Sequence, residues 1–116
     1  MAAPVFSKGE VLLALLIFSD SQGSKRRPVL VVHDFGDSDL LVVPVTSHAA
    51  RIQTDVFLND WRNAGLKLPS TVRTEKFATV AKFCVVKKLG ALSANDSTRV
   101  GQSISAVCKQ IAGPTA

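Results

Sequence analysis

Three apolar stretches within the first 46 residues, Val11 to Phe18, Pro28 to His33 and Leu40 to Thr46, string Val, Leu and Ile side chains in consecutive positions instead of at the spacing of a helix face. Runs of this length, rich in β-branched residues and bounded by Gly, Ser and Asp, read as strands that are apolar on both faces. Strands of that kind need cover above and below. The chain is therefore expected to form a small barrel or a tightly curled sheet, with the first strand, Gly9 to Phe18, at its centre.

The first run lies after Lys8, so a secretory leader is the competing reading. Glu10 at its mouth, its brevity and the polar Ser19-Asp20-Ser21-Gln22 where a small-x-small cleavage site belongs all oppose that. It is also too short to span a bilayer. A cytoplasmic protein without a membrane partner is expected. Cys84 and Cys108 stand apart with no CxxC and no neighbouring His, and both read as small core residues of a reduced protein, Cys108 on the inner face of a helix.

The remaining elements follow from local signals. Asp20 to Arg27 reads as a polar, basic loop, and Asp34 to Asp39, with Gly36, as a hairpin connection. Thr54 to Leu58 reads as a short strand, followed by a helical turn capped by Asn59 or Asp60 that runs through Trp61 to Gly65. Thr71 to Thr79 and Phe83 to Val86 read as two further β segments. Ser93 with Asp96 three residues on forms a capping box, after which Val100, Ile104, Val107 and Ile111 recur at helical spacing. Residues 1–116 are thus expected to be one mainly β (α+β) domain, a sheet with a single C-terminal helix.

Fourteen Lys and Arg against nine Asp and Glu give a formal charge of +5, which favours polyanionic or acidic partners. Aromatic residues are too few, six Phe and one Trp with no Tyr, to build a stacking platform for single strands or an aromatic groove for Pro-rich peptides. There is no Gly-rich phosphate loop, no HExxH and no carboxylate cluster for a two-metal site, so neither a metal nor another cofactor is expected. His33 and His48 are the only imidazoles, and a two-histidine ribonuclease would need both in one site.

What remains is the basic segment Lys25-Arg26-Arg27-Pro28, leading into a strand, and Thr46-Ser47-His48 at the end of another. Cleavage of RNA by its own 2′-hydroxyl requires stabilisation of a pentacoordinate phosphorus together with two proton transfers. An Arg fork suits the first task because it pairs two phosphate oxygens and stays charged. Pro28 confines Arg27 to extended backbone and so gives its side chain a defined direction.

The ordered blocks KGEV, GSKRRPVLVV, DLLVVPVTS, GLKLPSTVRTEKFATV and KKLGALS before a last helix resemble the MazF/PemK toxins over nearly the whole chain from about Gly9. The resemblance implies an SH3-like β-barrel homodimer that cleaves single-stranded RNA without a metal, leaving a 2′,3′-cyclic phosphate and a 5′-hydroxyl, and that is inhibited by an acidic cognate antitoxin. It places the family's catalytic Arg on Arg27 and its catalytic Thr on Thr46, with Ser24, Lys25, Arg26, Ser47, His48 and Lys76 as candidate RNA contacts.

Two departures stand out. Many members carry a Glu in the loop before the Arg-Pro; this loop has Asp20 but no Glu, so an acid/base role there is unsupported, and Lys76 stands where a Gln is common, so the cleavage sequence does not carry over from relatives. Each residue also has a plainer reading. Lys25 and Arg26 suit solvated charges, Ser24 a turn former, His48 a loop histidine, and Trp61 a core or dimer contact. A non-enzymatic, CcdB-like toxin of the same fold that poisons a protein such as DNA gyrase is the alternative function. Such a poison has no need of Arg27 with Thr46.

Overall fold

A computed structural model describes residues 4–17 and 23–114. In chain order the elements are β1 (Glu10–Ile17), β2 (Ser24–His33), β3 (Asp39–Thr46), β4 (Asp55–Phe57), β5 (Thr71–Arg73), β6 (Ala78–Ala81), a 3-10 turn (Lys82–Cys84), β7 (Val85–Ala91) and α1 (Ala94–Ala112). Among the described residues all strand pairings are antiparallel, in the order β4-β5-β3-β2-β1-β7 with β6 also on β3. Among the described residues no ladder joins β7 to β4. The sheet is curled but not closed, so the expected barrel lacks a continuous ring of hydrogen bonds.

The three apolar runs become β1, β2 and β3, and each is buried on both sides, as consecutive apolar residues require. Val11, Leu30, Val43 and Val45 join Val56, Leu58, Val72 and Val100 in one core, which Ile104 of α1 covers. On the opposite face Leu12, Ala14, Val29, Val31, Leu40 and Val42 form a second core with Val80, closed by Phe6, Cys84 and Val85. Burial of each Leu or Val contributes about 1.5–3 kcal/mol, so these two layers dominate the fold's stability.

Strand β3 changes partners along its length: Asp39 to Val42 pair with β6, whereas Val45 and Thr46 pair with β5. Pro44 falls in the gap between them, where a missing N–H is tolerated inside a sheet. The turn Thr74 to Phe77 splits the expected Thr71 to Thr79 segment, which allows β5 and β6 to follow different directions. Phe83 does not start a strand. It sits in the 3-10 turn, 90% exposed, and β7 begins at Val85.

The helix begins as its capping box predicts, with Ser93 Oγ accepting the Asp96 N–H at 3.2 Å. Asp96 does more than cap. Wholly buried, it accepts the backbone N–H groups of Asn59 and Asp60 at 3.1 and 2.8 Å, and Arg99 pairs with it at 3.0 Å. It thereby fastens the segment after β4 to the start of α1. Gly65, at φ +77°, then lets that segment press onto β7, because a Cβ there would meet the Leu89 carbonyl oxygen at 1.9 Å.

Two expectations for the helix fail at its outer end. Val100 and Val107 are buried and Ile104 packs on the core, but Ile111 is 72% exposed and Cys108 is exposed too. The sheet beneath α1 ends before the last turn of the helix reaches it, and helical phase places Cys108 beside the seam and not on it. Trp61 packs at the edge of the first core, with the Arg62 guanidinium 4.7 Å above its ring.

Candidate active site

Strand β2 begins at Ser24, not at Pro28, so Ser24, Lys25, Arg26 and Arg27 are strand residues and not part of a loop. They pair with the end of β1, Arg27 opposite Ala14 and Arg26 opposite Leu15. Asp20 and Phe18 lie outside the described residues. The change from loop to strand matters because side chains on a strand alternate. Arg27 shares a face with Val29 and Val31, and Arg26 points to the other.

The β2–β3 register pairs Val29 with Pro44. Carried two residues further, it sets Arg27 across from Thr46. Both residues line two adjoining pockets of about 400 and 350 Å³, which also share Pro28, Val45 and His48. Volumes of this order suit a small ligand or one unit of a polymer. The first pocket is completed by Ser47, Leu66, Lys67, Leu68 and Ser70, the second by Leu16, Pro44, Arg73 and Lys76.

Strand β3 stops at Thr46, and His48 reaches the same pockets through a turn: its backbone N–H donates to Thr46 Oγ1 at 3.2 Å. The bond occupies one acceptor position of the hydroxyl and leaves its proton available. Arg27 is exposed, and its guanidinium makes a long bond, 3.4 Å, to the Arg26 carbonyl. Among the described residues no carboxylate lines either pocket, while Arg27, Lys67, Arg73 and Lys76 line one or both. The surface is built for an anion.

Of the residues selected from the sequence, Arg27, Thr46, Ser47, His48 and Lys76 are brought together. Ser24, Lys25 and Arg26 line neither pocket. His33 lies at the far end of β2, against Phe35 with ring centroids 4.3 Å apart. Six residues of strand, roughly 20 Å, separate it from Arg27, and a two-histidine site is ruled out.

Sequence reasoning missed Arg73 and Thr71. Thr71 pairs with Thr46 across β3–β5, and so lies on the same face; its hydroxyl is buried with no partner among the described residues. Arg73, two residues on, lines the second pocket with a buried Nε that has no acceptor among the described residues. A donor left unpaired is costly, and an oxyanion brought to the guanidinium relieves that cost. The residues TVR carry no local signal of this, since only the pairing of β5 with β3 brings Arg73 to the second pocket, while the buried Thr71 lines neither.

A larger groove of about 500 Å³ runs between β4 and α1, with Asp55, Arg99, Gln102 and Ser103 among its walls. Its cation is already engaged, as Arg99 bonds Asp96 at 3.0 Å and the Phe57 carbonyl at 2.7 Å. Among the described residues no three His, Cys, Asp or Glu side chains converge into a metal-ligand set, and no helix is long and apolar enough to cross a membrane.

Solved structures share this fold. The Mycobacterium tuberculosis toxin MazF-mt6 is 22% identical, with a TM-score of 0.70 over 86% of this chain and 96% of that one. An endoribonuclease from a mycobacterial species, solved in complex with its cognate antitoxin, is 18% identical, with a TM-score of 0.71 over 98% and 100% of the two chains. The MazE-MazF complex of Deinococcus radiodurans is 18% identical, with a TM-score of 0.63 over 94% and 95%. No curated protein matches by sequence. These likenesses concern the fold. The family model described as PemK-like, MazF-like toxin of type II toxin-antitoxin system matches residues 7–108, from before β1 into the last turns of α1, and the chain belongs to that family.

Proposed function

We propose that this toxin is an endoribonuclease that cleaves single-stranded RNA in the cytoplasm without a metal ion. The observation that carries the reading is the placement of Arg27 and Thr46 on one face, in a pocket to which the described residues bring cations and no carboxylate. The ribose 2′-oxygen attacks the adjacent phosphorus, the bond to the 5′-oxygen breaks, and the 2′-hydroxyl proton is passed on to the leaving oxygen. The products are a 2′,3′-cyclic phosphate and a 5′-hydroxyl.

Arg27 neutralises the charge that builds on the phosphorane oxygens, which is worth most in the transition state. Thr46 donates its hydroxyl proton to the scissile phosphate and orients it, its own lone pair being held by the His48 N–H. Arg73 and Lys76 hold the same or a neighbouring phosphate, and Ser47 and His48 border the nucleotide. Lys25 and Arg26 act at longer range, by attraction.

The exposed Val5, Phe35 and Phe83, at 84%, 72% and 90% exposure, are surplus apolar surface that suits a homodimer. The cationic pocket suits an acidic antitoxin segment that folds on binding. The deciding experiment is incubation of the purified protein with a defined single-stranded RNA in the presence of chelator, followed by analysis of the ends. Cyclic phosphate and 5′-hydroxyl ends are expected. An intact RNA, alongside growth arrest by the same protein, would favour a toxin that acts on a protein target.

A further inference from the structure

Among the described residues Leu68 is the one exposed apolar residue in the lining of the two pockets; Pro28, Pro44, Leu16 and Leu66 are half-buried and Val45 is buried. It is 60% exposed, among Arg27, Thr46, Ser47, His48 and Lys67. Among the described residues no Phe, Tyr or Trp lines either pocket. Those residues therefore offer none of the aromatic faces on which unpaired bases commonly stack.

The exposure of Leu68 is imposed by its surroundings. Pro69 confines it to extended backbone, and its carbonyl accepts the Ser70 hydroxyl at 2.7 Å. Ser70, 5% exposed, is itself tied to the end of β4, its carbonyl accepting the Leu58 N–H at 2.9 Å. On the other side the chain is fixed by Leu66, which packs on the core, by Gly65 against Leu89, and by the Asp96 bonds to Asn59 and Asp60. An apolar side chain on backbone this well anchored, and left in water beside a cationic pocket, is a preformed apolar ledge.

We propose that Leu68 is a specificity-determining residue: the base adjoining the cleaved bond lays its face on this side chain while Lys67 meets the phosphate beside it. The inference rests on the RNA-cleaving reading of the same pocket. A leucine side chain covers one ring face, so it reads a single nucleotide position. The contact is made in the ground state and the transition state alike, and its loss raises KM more than it lowers kcat.

The test compares wild type with Leu68→Ser and Leu68→Met on a randomised single-stranded RNA pool, with the cut ends sequenced. A second arm measures binding of an oligonucleotide that carries 2′-deoxyribose at the preferred cleavage position and so cannot be cut. Leu68→Ser is expected to flatten the base preference at one position next to the cut, to raise KM on the preferred sequence about tenfold, and to bind the uncleavable oligonucleotide about tenfold more weakly. Leu68→Met restores all three, and an unchanged melting temperature shows that each variant folds. A cut-site profile and affinity for Leu68→Ser equal to wild type, in a wild type that cleaves, overturns the role of Leu68 and leaves the nuclease standing. A wild type that binds through Leu68 yet cuts no RNA overturns the nuclease and leaves the contact. Neither binding nor cleavage overturns both.

Discussion

His48 donates its backbone N–H to Thr46 Oγ1 at 3.2 Å, so the hydroxyl at the end of β3 is oriented by the first turn of chain that leaves the strand. An unaided hydroxyl is a poor base. In the proposed RNA-cleaving reaction, a lone pair so occupied would make Thr46 a better donor to the phosphate than a base, and would leave the greater electrostatic load to Arg27 on the neighbouring strand.

Arg27 and Arg26 are neighbours in sequence and lie on opposite faces of β2. Arg27→Lys is expected to keep most RNA affinity but to lose about 10² to 10³ in single-turnover cleavage rate, because a point charge cannot fork onto two oxygens. Arg26→Lys should cleave within about threefold of wild type, as both side chains attract RNA equally at long range. Equal losses in the two variants would move the catalytic group elsewhere.

If the inhibitor competes for the cationic pocket, an acidic peptide from the cognate antitoxin displaces RNA from the toxin. Its affinity should fall steeply as salt is raised from about 0.1 M to about 1 M, where the screening length shrinks from about 10 Å to about 3 Å. Titration with labelled RNA at two salt concentrations measures both effects. Simultaneous binding of peptide and RNA would contradict the shared site.

Gly65 and Gly36 both have positive φ, +77° and +91°, yet a Cβ at Gly36 meets open space and one at Gly65 meets the Leu89 carbonyl. Gly36→Ala is expected to cost about 1 kcal/mol, the price of the backbone conformation alone. Gly65→Ala should cost roughly 3 kcal/mol or more, since overpacking adds to that strain. It should also weaken RNA cleavage by shifting the wall that carries Lys67 and Leu68. Chemical denaturation of the two variants, with cleavage assayed on the folded fraction, checks the difference.

Asp34 ties three distant segments together: it accepts the N–H groups of Phe6 and Gly36 at 2.9 and 2.8 Å and pairs with Lys82 at 3.0 Å. The two backbone donors, and then Lys82, hold its carboxyl down at about 2, below the ordinary 3.8. A carboxyl that is more acidic in the folded state adds stability above its unfolded value and loses it as pH falls through the folded one. The melting temperature should therefore drop between about pH 4 and pH 2, and Asp34→Asn should lower the melting temperature at pH 7 while flattening that drop. An unchanged acid limb in Asp34→Asn would place the titration on another group.

The strands that carry Arg27 and Thr46 were legible because three runs of consecutive apolar residues admit only elements buried on both faces. The helix start was legible because Ser93 accepts the Asp96 N–H of its first turn locally. Local sequence did not reveal that β2 reaches back to Ser24, because Lys25 and Arg26 look like loop until Leu15 and Leu16 are found across from them. That pairing alone decides, through alternation, which arginine faces the pocket. Arg73 and Leu68 were likewise silent. Their positions depend on contacts between segments far apart in the chain, β5 on β3 for the one and the anchors at Asp96, Leu89 and Ser70 for the other, and such contacts leave no periodicity in the residues themselves.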